Sequence, residues 1–239
     1  MIVANSNDNT VSVLLNLGNG LFSSKTAYTT GYGPYSVAVG DVNLDSNLDI
    51  VAANYGGNTV SVLLNLGNGT FSSQTTYATG TDPKSVAVSD LNLDNKADMI
   101  VANSNDNTVS VLLNLGNGAF SSQTIYTSGN NPYSVAVGDL NHDSNVDIIV
   151  ANYGGSTVSV LLNRGNGTFS NQTTYLTGSG SSSVTVGDVN LDSNLDIIVA
   201  NYGGNTVSVL LNRGNGTFSN QTTYSTGSGP YSVAVGDVN

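Results

Sequence analysis

The chain has 239 residues, no cysteine and a net charge of -11. Disulfides, thiolate zinc sites and cysteine nucleophiles are thereby excluded. Five Lys and Arg residues (Lys25, Lys84, Lys96, Arg164, Arg213) make no basic face, which argues against a nucleic-acid partner. No apolar run approaches the roughly 20 residues of a membrane span, so no membrane insertion is expected.

The chain opens on Met1-Ile-Val-Ala-Asn5, which aligns with Ile50 to Asn54 and so starts in the middle of a repeating unit. Asn and Asp follow at once, and no signal peptide is visible. The unit is clearest from Tyr35. Ser36-Val-Ala-Val-Gly40 alternates and reads as a first strand, A. An acidic loop follows. Ile50-Val-Ala-Ala53 is a short apolar run fit for a strand buried on both faces, B. Asn54-Tyr-Gly-Gly-Asn58 is turn chemistry, and Thr59 to Leu64, rich in β-branched residues, is strand C. Asn65-Leu-Gly-Asn-Gly69 turns the chain with the Asn-Gly pair that a type I′ hairpin prefers, and Phe71 to Tyr77 is strand D. No helix is expected, because apolar residues never recur at three-four spacing.

The acidic loop is the chemical centre of each unit. Asp41, Asn43, Asp45 and Asp49 place side-chain oxygens at its first, third, fifth and ninth positions. The set recurs as Asp90, Asn92, Asp94, Asp98, as Asp139, Asn141, Asp143, Asp147, and as Asp188, Asn190, Asp192, Asp196. Repeats start at 41, 90, 139, 188 and 237, a constant step of 49. Alternate oxygen ligands on a tight turn suit Ca²⁺, with a backbone carbonyl from the seventh position (Asn47, Lys96, Asn145, Asn194). Three carboxylates in one turn repel one another without a counter-ion. About four Ca²⁺ per chain are therefore expected, one for each full loop. The plain alternative is a polar turn that binds nothing. An EF-hand is excluded by the missing Glu at position twelve. Lys96 makes the second loop the weakest site. In the fifth, incomplete loop, Asp237 and Asn239 remain, and a frayed empty end is the expectation there.

Four strands per 49-residue unit indicate an all-β propeller, one domain over residues 1–239 with five four-stranded blades. Tyr231 to Gly236 is a last strand A that is expected to pair with the first strand B, complete the N-terminal blade and close the ring. The alternative is a fragment of a longer array, since residues 150–187 and 199–236 match at 33 of 38 positions. A closed ring would be a monomer, and an open one would self-associate.

With the loops, the Asn-Gly turns and Pro34-Tyr-Ser-Val-Ala-Val-Gly-Asp41 in view, the chain resembles the FG-GAP/VCBS repeat family, which includes the blades of integrin α-subunit propellers. The resemblance implies a β-propeller, calcium in the A–B loops, and an extracellular or cell-surface role in adhesion or recognition of a protein or glycan ligand. Seven blades is the common closure it implies. The family usually has Gly at loop position six, where this chain has Ser46, Asn95, Ser144 and Ser193. Affinity on the order of 10⁻⁴–10⁻³ M is therefore expected.

The opposite end of each blade should carry Tyr55, Tyr153 and Tyr202 with Tyr35, Tyr133 and Tyr231, a candidate ligand face whose plain alternative is inter-blade packing. Phe22, Phe71, Phe120, Phe169 and Phe218, with Tyr28, Tyr77, Tyr126, Tyr175 and Tyr224, read as inter-blade core. His142 reads as a loop variant. With no second His and no Glu, no acid–base pair stands out, and no enzyme is expected. A structural scaffold, a lectin and a metal-assisted hydrolase are the competing functions. Sequons at Asn68, Asn166, Asn171, Asn215 and Asn220 are weak signals for glycans.

Overall fold

The computed structural model describes residues 1–237. They form β-sheets with one short 3₁₀ turn at Tyr55–Gly57. Strand β1 (Ile2–Asn5) pairs with β2 (Thr10–Val13), and a small hairpin, β3 (Asn16–Gly18) with β4 (Leu21–Phe22), leads to β5 (Thr26–Thr29). The second sheet runs β6 (Pro34–Gly40), β7 (Asp49–Asn54), β8 (Thr59–Leu63), β9 (Thr75–Ala78) in sequence order. The third is β10 (Pro83–Ser89), β11 (Asp98–Asn103), β12 (Thr108–Leu112), then a small hairpin of β13 (Asn114–Gly116) and β14 (Ala119–Phe120), then β15 (Thr124–Thr127). The fourth is β16 (Pro132–Gly138), β17 (Asp147–Asn152), β18 (Thr157–Leu161), β19 (Thr173–Leu176). The fifth is β20 (Ser181–Gly187), β21 (Asp196–Asn201), β22 (Thr206–Leu210), β23 (Thr222–Ser225). Neighbouring strands are antiparallel, the meander of a propeller blade.

The chain divides into two compact units. One comprises Met1–Ser89, Lys96–Asp106 and Ser110–Thr124, and the other Asp90–Asn95, Asn107–Val109 and the chain from Ile125 onward. In both, the second strand of each four-stranded sheet is buried at every residue. That follows from sequences such as Ile148-Ile-Val-Ala151, which present apolar side chains to both faces. In the first unit Val51, Val60, Met99, Val101 and Phe120 share one core. In the second, Ile149, Val158, Ile197, Val199 and Phe218 do the same. Within each unit, edge-to-face pairs join successive repeats: Tyr28–Phe71 at 5.4 Å and Tyr77–Phe120 at 5.3 Å in the first, and Tyr126–Phe169 and Tyr175–Phe218, both at 5.4 Å, in the second. The inter-blade assignment of these residues holds for the four pairs. Phe22 and Tyr224, at the two ends of the series, are exposed instead.

One expectation needs correction. Strand D is shorter than Phe71 to Tyr77, because Ser72 interrupts the ladder. Its Oγ accepts the Leu64 N–H at 3.0 Å while its own N–H donates to the Leu64 carbonyl, so a side chain takes a backbone place. The first sheet has three strands, and Tyr231 to Gly236 is not part of a named strand. The expectation for Asn239 lies outside the described residues.

The Asn-Gly turns split into two classes. Asn19-Gly20 and Asn117-Gly118 have positive φ at both residues, as a type I′ turn requires. At Asn68, Asn166 and Asn215 a Thr follows the Gly, and its Oγ1–H and N–H both donate to the Asn Oδ1. Only the Gly then has positive φ.

Candidate functional site

Each acidic loop joins the first and second strands of a sheet and is wound on its own carboxylates. Asp41 accepts the Asp45 N–H at 3.2 Å and the Ser46 N–H at 2.8 Å, one on each oxygen. Asp45 accepts the Asn47 N–H at 2.8 Å and the Asn43 amide at 3.0 Å. Asp139 and Asp188 repeat the first pattern on Asp143 and Ser144, and on Asp192 and Ser193. Asp90 does so on Asp94 and Asn95. The winding forces the sixth position to positive φ, as expected: 67° at Ser46, 62° at Asn95, 65° at Ser144 and 68° at Ser193. It also forces the fourth, which sequence reasoning missed: Leu44, Leu93, His142 and Leu191 all lie between 61° and 63°.

The ninth-position Asp does more than face the loop. Asp49 is fully buried, accepting the Val42 N–H at 2.9 Å on one oxygen and the Asn65 N–H at 2.7 Å on the other. Asp147 holds Leu140 and Asn163 in the same way, and Asp196 holds Val189 and Asn212. Asp98 accepts the Asn114 N–H at 2.7 Å. These residues clasp the loop to the turn after the third strand. The signal was the Asn sixteen residues on in every copy. The seventh-position side chains of Asn47, Asn145 and Asn194 lie against Gly67, Gly165 and Gly214 of that turn, and the Lys96 stem lies beside Gly116.

Burial pushes the Asp147 carboxyl up to about 6, and the charges of Asp143 and Asp139 push the same way, against the two N–H donors that pull it down. Asp49 is raised by the same balance, with Asp45 and Asp41 as the nearby charges. Asp45 and Asp192 are held below the usual carboxylate range, chiefly by the N–H groups of Asn47 and Asn194 and next by the Asn43 and Asn190 amides. At Asp143 burial works upward, and the hydrogen bonds from Asn145 and Asn141 outweigh it. His142 is more than a loop variant: its Nε2 lies 2.7 Å from Asn194 Oδ1 in the next loop. The donor chemistry of the loops, all oxygen and mostly carboxylate, fits a hard divalent ion. Among the described residues, however, no three acidic or His side chains form a ready-made metal-holding group. Their oxygens are turned to backbone amides.

The tyrosines stand at the other end of the strands. Asp49 begins β7 and Tyr55 follows its last residue, so loop and tyrosine are a strand length apart. In the first unit Tyr35 and Tyr55 lie 6.0 Å apart, with Lys84 Nζ 5.3 and 5.1 Å from their ring centres. In the second unit Tyr133 stacks on Tyr153 at 4.7 Å, Tyr153 meets Tyr202 at 6.3 Å, and Tyr202 meets Tyr231 at 6.1 Å. The expected six tyrosines are thus brought together as two groups, and Tyr35, Tyr202 and Tyr231 are exposed. Lys84 was not foreseen, although it occupies the Tyr35 position of the next repeat.

Repeated four-stranded meanders with an Asp loop before each buried strand define a class of β-propeller-type repeat. The FG-GAP-like repeat pattern matches residues 1–52, 41–101, 90–150, 143–199 and 188–239, and the chain belongs to that family. No curated protein is a significant match. Among solved structures, a lectin of Agrocybe aegerita that recognises non-reducing terminal N-acetylglucosamine is similar, with 25% identity and a TM-score of 0.62 over 89% of this chain and 60% of the lectin. A functionally unknown protein from Desulfotomaculum acetoxidans shares 16% identity with a TM-score of 0.72, over 95% of this chain and 66% of its own. A putative 6-phosphogluconolactonase from Bacteroides uniformis shares 14% with a TM-score of 0.74, over 96% of this chain and 69% of its own. The chain thus spans 60% and 66% of the length of the first two.

Proposed function

We propose that the chain is a calcium-stabilised, non-catalytic recognition module that works outside the cell or at its surface. One observation carries the calcium reading. Three carboxylates crowd a single loop closely enough that Asp143 and Asp139 add to the burial that raises Asp147, and the same loop recurs four times. A divalent cation relieves that repulsion, and three of the four loops contain no Lys or Arg in their own sequence. Asp41, Asp45, Asp49 and Asn43, with their counterparts, would hold the ion. When bound, it would supply charge neutralisation and a fixed loop. Calcium titration by calorimetry, with thermal unfolding in calcium and in chelator, tests this. About four ions per chain and a melting temperature that falls on chelation are expected, and neither binding nor shift overturns it.

The recognition reading rests on the exposed tyrosine groups, which offer ring faces with polar rims. Sugar recognition in the Agrocybe aegerita lectin supports a glycan as the ligand class. A glycan array probed with the intact chain tests it: binding lost in Tyr153→Ala and Tyr202→Ala supports it, and a blank array favours the scaffold role.

A further inference from the structure

The chain has four Gln, and each stands just before the last strand of a four-stranded sheet: Gln74, Gln123, Gln172 and Gln221. A buried relay orients each one. In the second sheet Asn54 Nδ2 donates to Ser61 Oγ at 2.8 Å, the Gly31 N–H donates to the same oxygen at 3.0 Å, and the Ser61 hydroxyl donates to Gln74 Oε1 at 2.5 Å. Asn103–Ser110–Gln123, Asn152–Ser159–Gln172 and Asn201–Ser208–Gln221 repeat the relay. The four Ser are fully buried. A hydroxyl has one proton, and with two N–H groups on its oxygen Ser61 directs that proton to the Gln. The amide is thereby fixed by its Oε1, and the two Nε2 donors are left for another partner.

The half-buried Gln side chains line four clefts of one design. Each cleft lies between the last strand of one sheet and the segment that leads into the last strand of the next. In the first unit β5 faces residues 71–74 and β9 faces residues 120–123, with cavity volumes of about 400 and 340 Å³. In the second unit β15 faces residues 170–172 and β19 faces residues 219–221, with volumes of about 220 and 410 Å³. The Tyr of an edge-to-face pair lines every one: Tyr28, Tyr77, Tyr126 and Tyr175. No charged side chain lines any of the four. The strand on the other wall is the outer strand of its sheet and pairs on one side alone, so main-chain N–H and C=O groups face outward along it.

We propose that these clefts are a repeated site for a neutral sugar unit, a hexose or an N-acetylhexosamine. Their volumes lie near the lower end of the roughly 300–1,000 Å³ of small-molecule sites, which suits a single ring. A sugar ring needs hydrogen-bond partners for the hydroxyls around its rim and an apolar surface for its C–H groups. Each cleft offers both. Gln Nε2 supplies two donors, the strand edge supplies carbonyl acceptors, and the Tyr ring supplies the apolar wall. A charged ligand would find no counter-charge to offset its desolvation. The ligand class rests on the glycan reading above, but the place is distinct from the tyrosine groups of Tyr153 and Tyr202, and calcium has no part in it.

NMR of the intact chain, isotope-labelled at Gln, tests it, because every Gln side-chain amide belongs to a cleft. The probes are glucose, galactose, mannose and N-acetylglucosamine. With at least one of them the Gln side-chain amide signals are expected to shift and saturate. Gln→Glu keeps the oxygen that accepts the Ser hydroxyl and removes both donors, so the fold should survive, as circular dichroism will check. Gln74→Glu, Gln123→Glu, Gln172→Glu and Gln221→Glu combined should weaken binding of that sugar about tenfold, read by saturation transfer to the sugar. Tyr153→Ala with Tyr202→Ala should leave it unchanged. Silent Gln amides with a sugar that binds the wild type, or binding that survives the Glu changes and is lost with the tyrosines, would overturn the clefts and leave the tyrosine groups as the glycan site. Sugars that bind nowhere would overturn both.

Discussion

Asp147 shows how one side chain can answer to two demands. As a clasp it holds the Leu140 and Asn163 amides, and as a carboxylate it is buried beside two others. Asp147→Ala would leave both amides unpaired in the interior, and a loss of about 2–3 kcal/mol is expected by denaturant unfolding. The pH dependence has the opposite sense to that of an ordinary surface carboxylate. The folded state holds this proton up to about pH 6, whereas the unfolded chain releases it near 3.8. The contribution is therefore fully present below the unfolded value and is lost as pH rises through the folded one. Asp49, also raised, acts in the same sense. Asp45, Asp143 and Asp192 are lowered, so their contribution is lost only on acidification below the ordinary range. In chelator, then, the melting temperature should be higher near pH 5 than near pH 7. A flat or inverted profile would show that the Asp49 and Asp147 carboxyls are not held protonated. Leu191, 90% exposed at φ 62°, is a separate case of residue-scale strain. Left-handed geometry costs a Leu about 1–2 kcal/mol and suits Asn better. Leu191→Asn should raise stability by about 0.5–1 kcal/mol in denaturant unfolding, and an unchanged midpoint would show that the position carries no strain.

Among the elements, the edge-to-face pairs carry the contacts between sheets within each unit. Phe169 is 4% exposed against Tyr126, whereas Phe22 is 41% exposed. Phe169→Ala should cost about 3–5 kcal/mol and Phe22→Ala far less; equal losses in denaturant melts would contradict the packing described. The periodic pattern made these elements legible. Alternation marked the A strands, and the unbroken run Ile-Ile-Val-Ala marked the B strands as buried on both faces. What escaped was set by side chains that stand in for backbone. Ser72 Oγ delays the start of strand D to Thr75, and Thr70 on Asn68 changes the turn that Asn-Gly alone specifies. The loops were legible as oxygen clusters, because Asp and Asn at alternate positions need no tertiary information. The clasp on Asn65 and the hydrogen bond from His142 to Asn194 depend on which loops the fold brings together, and spacing along one loop does not carry that.

At the scale of the whole molecule, charge is the variable that calcium would change. The chain carries -11, and twelve of its sixteen Asp lie in the four full loops. Four divalent ions would take -11 + 8 to -3. With a dissociation constant on the order of 10⁻⁴–10⁻³ M, ion at ten times that concentration stabilises by about 1.4 kcal/mol per site. Four independent sites would therefore give about 5–6 kcal/mol, a change comparable with the whole stability of many domains. Removing the first-position carboxylate of one loop, by Asp188→Asn, should lower the stoichiometry by one and take away about a quarter of that increment, while the other loops bind as before. Calorimetry on the variant reads the first and melts in calcium and chelator read the second. A variant that still binds four ions would place the metal elsewhere. One that loses all four would mean that the loops act as a single unit, with the ions coupled through the sheets that carry them.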